Sequence, residues 1–211
     1  MRKLIIQGPP GAGKGTRATK ISKEFGIPHI STGDMFRKEI KEQTELGKLA
    51  KELMDKGHFV PDDITMNMLK NRLSQEDCKN GFILDGVPRT TQQAEMLKEI
   101  TDIDHVIHLD LSDETILDRL TTRRTCKGCG AIFNIKTIIP KEEGKCDHCF
   151  GELVQRDDEK PEVIKERLNV YEEKTKPLVV FYKELNLLRM LDGELDVNDD
   201  SFWIKLKELI S

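Results

Sequence analysis

The segment that most constrains this chain lies near its start: Gly8-Pro9-Pro10-Gly11-Ala12-Gly13-Lys14-Gly15-Thr16. Ahead of it, Lys3 to Gln7 is apolar at its centre and reads as a buried parallel strand. Behind it, a helix is predicted from about Lys14 to Phe25. Glycines let the backbone curl so that successive N–H groups face one anion. The helix start adds the positive end of its dipole, and Lys14 adds a mobile cation. Strand, glycine turn, lysine and helix in this order form a phosphate-binding loop of the P-loop type. The general motif places Ser or Thr directly after the lysine. Here Gly15 intervenes and Thr16 follows, which leaves Thr16 open as a metal ligand.

Further along, the same alternation recurs. Pro28 to Ile30 reads as a short strand, and Ser31, with Asp34 three residues on, opens a helix. Helices are predicted around 34–43 and 46–56, the second stopped by Gly57, and another over 62–73 behind Pro61. Phe82-Ile83-Leu84 is a strand ending at Asp85-Gly86, followed by a helix from Thr90 to Glu99. His105 to Leu111 is a strand and Asp113 to Arg123 a helix. Pro161 suits the first turn of a long helix that Pro177 kinks or restarts. Leu187 to Leu191 is a last strand and 200–210 a last helix. Strands alternating with helices predict a three-layer α/β/α domain on a parallel central sheet.

The segment 125–156 breaks this pattern with cysteines, glycines, lysines and short β-like runs. Cys126 and Cys129 form one C-x-x-C pair; Cys146 and Cys149, after sixteen residues, form another. Two such knuckles are the spacing of a zinc ribbon, and four thiolates close a tetrahedron with no place for substrate. The metal is therefore expected to be structural. Ile132, Phe133, Ile135, Ile138 and Ile139 are expected to add a thin apolar layer. His148 sits in a knuckle already supplied with two cysteines and is not expected to ligate.

Several arginines lie where a helix would not want them. On the predicted helix 113–123, Arg119 and Arg123 stand four apart beside the stripe Ile116, Leu117, Leu120. Like charges at that spacing cost an isolated helix about 0.2–0.5 kcal/mol, and an anion between them would reverse the sign. Arg167 borders the apolar face made by Ile164, Leu168 and Tyr171. A semi-buried arginine needs a carboxylate or a phosphate, and Asp157 or Asp158 is the expected partner in the empty state. Asp85, at the end of an apolar strand, is placed to orient a metal's water shell.

The string GPPGAGKGT resembles the P-loop of the adenylate kinase family. The likeness continues through Ser31-Thr32-Gly33-Asp34-Met35-Phe36-Arg37, then Phe82-Ile83-Leu84-Asp85-Gly86-Val87-Pro88-Arg89-Thr90. It includes Asp118-Arg119, Arg123-Arg124, Arg156-Asp157-Asp158 and Arg167. Val87 stands where the family usually has phenylalanine.

The resemblance implies reversible Mg²⁺-dependent transfer between ATP and AMP, giving two ADP. ATP would meet Gly11, Ala12, Gly13, Lys14, Gly15, Thr16, Arg119, Arg123, Ile132 and Phe133. AMP would meet Thr32, Arg37, His58, Phe59, Val60, Gly86, Val87, Pro88, Arg89, Gln93, Arg156 and Arg167. Lys14, Asp85, Arg89, Arg123, Arg156 and Arg167 would carry the catalysis, and Zn²⁺ would staple a lid. The implied division is a core of 1–30, 61–121 and 160–211, an AMP-binding insert of 31–60 and a lid of 122–159. A monomer is expected.

Composition limits the alternatives. With 34 basic and 38 acidic residues the net charge is −4, so a general grip on nucleic acid or an anionic membrane is not expected. Within 126–150 four lysines face three acidic residues, too small an excess to track a phosphate backbone. No apolar run approaches the roughly 18 residues of a membrane span. Leu4-Ile5-Ile6 is too short for a signal peptide, so a cytoplasmic location is expected. Kinases of UMP or CMP, and GTP donors, remain the nearest rivals.

Overall fold

The computed structural model describes residues 2–196 and 198–210. Along the chain, β1 (Arg2–Gln7) leads to α1 (Lys14–Phe25), β2 (His29–Ser31), α2 (Thr32–Lys41), α3 (Glu45–Asp55) and α4 (Asp62–Leu73). Next come β3 (Gly81–Asp85), α5 (Thr91–Ile100), β4 (His105–Asp110) and α6 (Asp113–Thr122). Three short strands follow: β5 (Arg123–Cys126), β6 (Ile132–Asn134) and β7 (Leu153–Val154). The chain closes with α7 (Pro161–Val170), α8 (Leu178–Glu184), β8 (Leu188–Asp192) and α9 (Asp200–Leu209).

Five strands form one parallel sheet in the order β2-β3-β1-β4-β8. Alternation within β1 explains its continuous apolar run. Leu4 and Ile6 face Ala18 and Ile21 of α1 and Phe202 and Leu206 of α9. Ile5 faces the opposite layer, with Met66 and Leu69 of α4, Leu97 of α5 and Tyr182 of α8. Both faces are covered, so Leu4 to Gln7 of β1 and all of β3 are interior. Each fully buried Leu or Ile contributes about 1.5–3 kcal/mol. In the β1–β3 pairing Ile6 lies beside Asp85, so the loop after β1 and the Asp85 carboxylate leave the sheet at the same edge. That carboxyl-terminal edge is where open parallel sheets bind ligands.

Among the described residues three smaller cores lie outside the sheet, one of them formed by Ile116 and Leu120 of α6 with Ile164 of α7. The α2–α3 hairpin gathers Phe36, Ala50 and Val60 with Ile40, Leu46 and Leu53. The antiparallel sheet β6-β5-β7 holds Cys126, Phe133, Cys146 and Leu153. Ile135, Ile138 and Ile139, expected in that layer, are instead exposed. A short three-stranded sheet has one inner face, which two cysteines and Phe133 already fill.

Caps set the helix starts. Ser31, Thr44, Thr90 and Ser112 each accept a first-turn N–H, from Asp34, Gly47, Gln93 and Thr115 respectively. Ser31 thus opens α2 at Thr32, two residues before the expected start. Pro161 occupies the first position of α7, and Pro177 restarts the chain as α8 after one wide turn at Tyr171–Thr175.

Helix α6 ends one residue short of the expected 123, and this changes the arginine geometry. Arg123 has φ −67° and ψ 143° and pairs as a strand with Asn134. Thr121 and Thr122 turn their hydroxyls back onto the Leu117 and Asp118 carbonyls, and the Asn134 carboxamide donates to Thr122 Oγ1 at 2.7 Å. Strand pairing therefore outweighs one more turn of helix. Arg119 and Arg123 do not stack on one helical face. Leu117, placed in the apolar stripe by its spacing, is exposed.

The α2–α3 contact is close enough to test. A Cβ on Gly47 would lie 2.1 Å from the Glu39 carbonyl oxygen of α2. Gly47→Ala should cost about 1–3 kcal/mol by overpacking. Urea unfolding should show a lowered midpoint; an unchanged midpoint would contradict this packing.

Candidate active site and metal centre

The loop between β1 and α1 takes backbone angles that side chains resist. Gly8, Gly11 and Gly13 have φ of 143°, 83° and 73°. A Cβ at Gly11 would also sit 2.9 Å from Leu120 of α6. Ala12 is buried, while Gly15 and Thr16 lie half-buried in the first turn of α1, which has no side-chain cap. Uncapped N–H groups at a helix start form a ready anion site. Lys14 folds across its own loop, donating from Nζ to the Gly8 and Pro9 carbonyls at 2.9 and 2.8 Å. Burial drives its pKa down to about 7; Asp85 opposes this, while Arg89, Arg167 and Arg123 add to it. Uncovered lysine charge is thus disfavoured here unless an anion arrives.

Arginines from five other segments meet at this place. Burial, then neighbouring Arg167, lowers the Arg89 pKa to about 10. Burial, then Arg37 and Arg123, does the same for Arg156. Arg167 is lowered by burial and by Arg123, against the pull of Asp158. Each cation has a provisional partner. Arg167 Nη1 lies 2.8 Å from Asp158 Oδ2, Arg123 pairs with the fully buried Glu159, and Arg37 pairs with Asp34. Arg156 Nε donates to Thr125 Oγ1 at 2.9 Å. Burial disfavours the Asp158 carboxylate, but Arg167, Arg156 and Arg123 outweigh it and hold its pKa below the ordinary value. Of the two aspartates expected beside Arg167, Asp158 takes the role; Asp157 pairs with Lys160 at the surface. Asp85 lies between His29, 3.3 Å from its Oδ2, and the first turn of α1. Ile132 reaches over the same turn, 3.8 Å from where a Gly15 Cβ would be.

A second cavity adjoins this cluster, lined by Thr32, His58, Phe59, Val60, Gly86, Arg89 and Gln93, together with Phe36, Met54 and Thr65. Thr32 Oγ1 and Arg89 Nε both donate to the Gly86 carbonyl, at 2.9 and 2.8 Å. The Arg89 guanidinium lies 4.9 Å over the Phe59 ring. Gln93 is fully buried, accepting from Arg89 N at 2.7 Å and donating to Asp62 Oδ1 at 2.7 Å. Val87 and Pro88 are buried behind this wall, joined by a cis peptide bond.

The four cysteine sulfurs all lie within 4.8 Å of one another, with Cys126–Cys149 at 3.4 Å and Cys129–Cys146 at 3.6 Å. A tetrahedral Zn²⁺ with Zn–S near 2.3 Å needs sulfurs about 3.8 Å apart. The Cys129 N–H, with other donors, lowers the Cys126 pKa to about 6. At Cys129 the Ala131 N–H favours the thiolate, but crowding by Cys149 and burial outweigh it and raise the pKa to about 12. Thiols this close ionise together only around a cation. Gly151 leaves room for them: a Cβ there would lie 3.0 Å from Cys126 Sγ. The cluster fits a zinc site, and among the described residues His148 is not part of it.

The family sequence model described as adenylate kinase matches residues 6–187. A protein named adenylate kinase from Caldicellulosiruptor saccharolyticus is 53% identical over 202 residues, 93% of this chain and 94% of that relative. One from Oceanobacillus iheyensis is 52% identical over 200 residues, 92% and 93% of the two chains. One from Archaeoglobus fulgidus is 49% identical over 212 residues, 98% and 97% of the two chains. The chain belongs to the adenylate kinase family. Members of the adenylate kinase family are nucleoside monophosphate kinases, enzymes that transfer a phosphoryl group. A site made of amides, one lysine and arginines suits that chemistry.

Some residues beside these cations and this cavity carry no signal in the sequence. Glu159, the buried partner of Arg123, hid in the acidic run Asp157-Asp158-Glu159, which in isolation reads as a solvated turn. Asp62 looked like a helix start, yet it accepts from both Gln93 and Thr90. Met54, Phe36 and Thr65 carry no chemical signature at all. Arg119 lies apart from the phosphate cluster, donating to the Gly193 carbonyl at 3.1 Å. No helix is long and apolar enough to cross a membrane among the described residues.

Lys14 gives a direct test of this electrostatic arrangement. With a pKa near 7 when free, it is mostly neutral at pH 8, and a bound triphosphate raises that pKa and restores the charge. Calorimetric titration with ATP near pH 8, in buffers of different ionisation enthalpy, should show net proton uptake. The uptake should fade toward pH 6 and be lost in Lys14→Met. Uptake that is absent, or unchanged in the variant, would contradict the assignment.

Proposed function

We propose that this chain interconverts ATP and AMP with two ADP, and so maintains adenine nucleotide balance. The observation that carries this reading is the meeting of Lys14, Arg89, Arg123, Arg156 and Arg167 from separate segments beside an uncapped amide loop. Only a chain of phosphates satisfies so many inward-facing cations at once.

In this reading the amides of Gly11 to Thr16 and the Lys14 ammonium hold the β and γ phosphates of ATP. Arg119, Ile132 and Phe133 approach the donor nucleoside. Arg37 and Arg89 hold the AMP phosphate, while Thr32, the 58–60 turn, Gly86, Val87, Pro88 and Gln93 enclose its base and sugar. Arg123, Arg156 and Arg167 bear the charge that builds on the transferring group. As phosphate enters, these arginines exchange Glu159 and Asp158 for it. Asp85 and Thr16 are the oxygen donors suited to a Mg²⁺ that keeps most of its waters. Bound there, Mg²⁺ would supply positive charge that offsets the charge of the phosphates. AMP is already an anion, so alignment and water exclusion replace base catalysis. Residues 31–60 act as the insert over AMP and 122–159 as the lid over ATP, both on a core of 1–30, 61–121 and 160–211. A structural Zn²⁺ on the four cysteines stiffens the lid, and the enzyme works as a cytoplasmic monomer.

A coupled assay should detect ADP from ATP, AMP and Mg²⁺, with UMP, CMP and GTP far poorer substrates. Arg123→Ala and Lys14→Ala should each lower kcat by about 10²-fold or more with unchanged circular dichroism. Near-normal turnover in either would remove the mechanism. Chelation that strips the metal should lower Tm by more than about 5 °C. Turnover at low temperature should fall by less. A melting curve indifferent to chelation would end the staple reading.

A further inference from the structure

Arg17 follows the phosphate loop directly, yet its guanidinium serves another part of the fold. It is buried, donating to the Ala12 carbonyl at 3.1 Å and to the Gly193 and Leu195 carbonyls at 2.8 and 2.7 Å. Burial lowers its pKa to about 10. Its charged neighbours are Arg119, Asp196, Asp192 and Glu194, not the arginines around Lys14. Two carbonyls of the loop between β8 and α9 thus close on one buried cation.

That loop is pinned from other directions too. The Gly193 N–H donates to the Asp110 carbonyl at 2.8 Å, and a Cβ at Gly193 would lie 2.3 Å from Leu111 Cδ1. Arg119 Nη1 shares the Gly193 carbonyl at 3.1 Å, with Nη2 3.6 Å from Glu194. Arg17 therefore ties the phosphate loop, through Ala12, to the segment on which Arg119 rests.

We propose that Arg17 is a positioning residue for the base of the donor nucleotide. It holds the 193–195 backbone beside Arg119, so that a purine meets a fixed polar edge in register with its own phosphates. This rests on the reading above, in which ATP is the donor and Arg119 lies against its base. Arg17 itself touches neither nucleotide.

The test separates base from phosphate. Arg17→Met keeps the length and removes the donors. It should raise KM for ATP about tenfold, the loss of roughly one charge-assisted hydrogen bond. KM for AMP should stay within about twofold and kcat should change little. Inhibition by inorganic tripolyphosphate, which has no base, should be unchanged, and the preference for ATP over CTP should shrink. Arg17→Lys should recover part of the loss. Arg17→Gln, which retains a donor, should show the same pattern more weakly and serves if the methionine variant fails to fold. Weaker tripolyphosphate inhibition, equal losses with ATP and CTP, or a parallel rise in both KM values would overturn the proposal. The wild type is assayed first: if it forms no ADP from ATP and AMP, the parent reading falls, and this one with it.

Discussion

Mutual repulsion among half-buried cations governs this site. Burial, then repulsion from neighbouring arginines, lowers the proton affinity of Lys14, Arg89, Arg156 and Arg167. Such a group is tolerable only with compensation. Glu159 pairs with Arg123, Asp158 with Arg167, and Asp85 favours the charged form of Lys14. The fold thus gathers positive charge at the edge of a rigid sheet without a strongly basic surface.

The sheet supplies the rigidity. Its two faces are covered by separate apolar layers, one with α1 and α9, the other with α4, α5 and α8. The phosphate loop, Asp85 and Arg89 leave this frame within a few residues of buried strand ends. Arg37, Arg123 and Arg156 come instead from the α2–α3 hairpin and the small antiparallel sheet, whose cores hold only a few side chains each. Segments with thin cores open at lower cost than the frame. Half of the charge on the site is therefore carried by its less firmly packed parts.

Much of this was readable before any coordinates. The phosphate loop is legible because three glycines, a lysine and a strand–helix junction are all local requirements. The strands of the sheet are legible because burial on both faces leaves runs such as Leu4-Ile5-Ile6 and Phe82-Ile83-Leu84. The cysteine knuckles are legible because thiolate spacing reflects a metal's geometry. Helical spacing continues through Arg123, and no local signal announces its pairing with Asn134 across the small antiparallel sheet. Glu159 was overlooked for a related reason. A carboxylate in an acidic run is normally solvated, and only the fold buries this one against an arginine 36 positions earlier.

By itself, the sequence determined the elements whose causes are local: loop glycines, helix caps, apolar strand runs and paired cysteines. It also determined family membership, since several motifs recur in order over nearly the whole chain. Tertiary structure alone decided which charges meet. It paired Arg123 with Glu159 and Arg167 with Asp158, and it turned Arg17 toward Gly193 and Leu195 although Arg17 directly follows the phosphate loop. The physical reason is range. Backbone preferences act over a few residues, whereas Coulomb energy and desolvation depend on distances that exist only once the chain has folded.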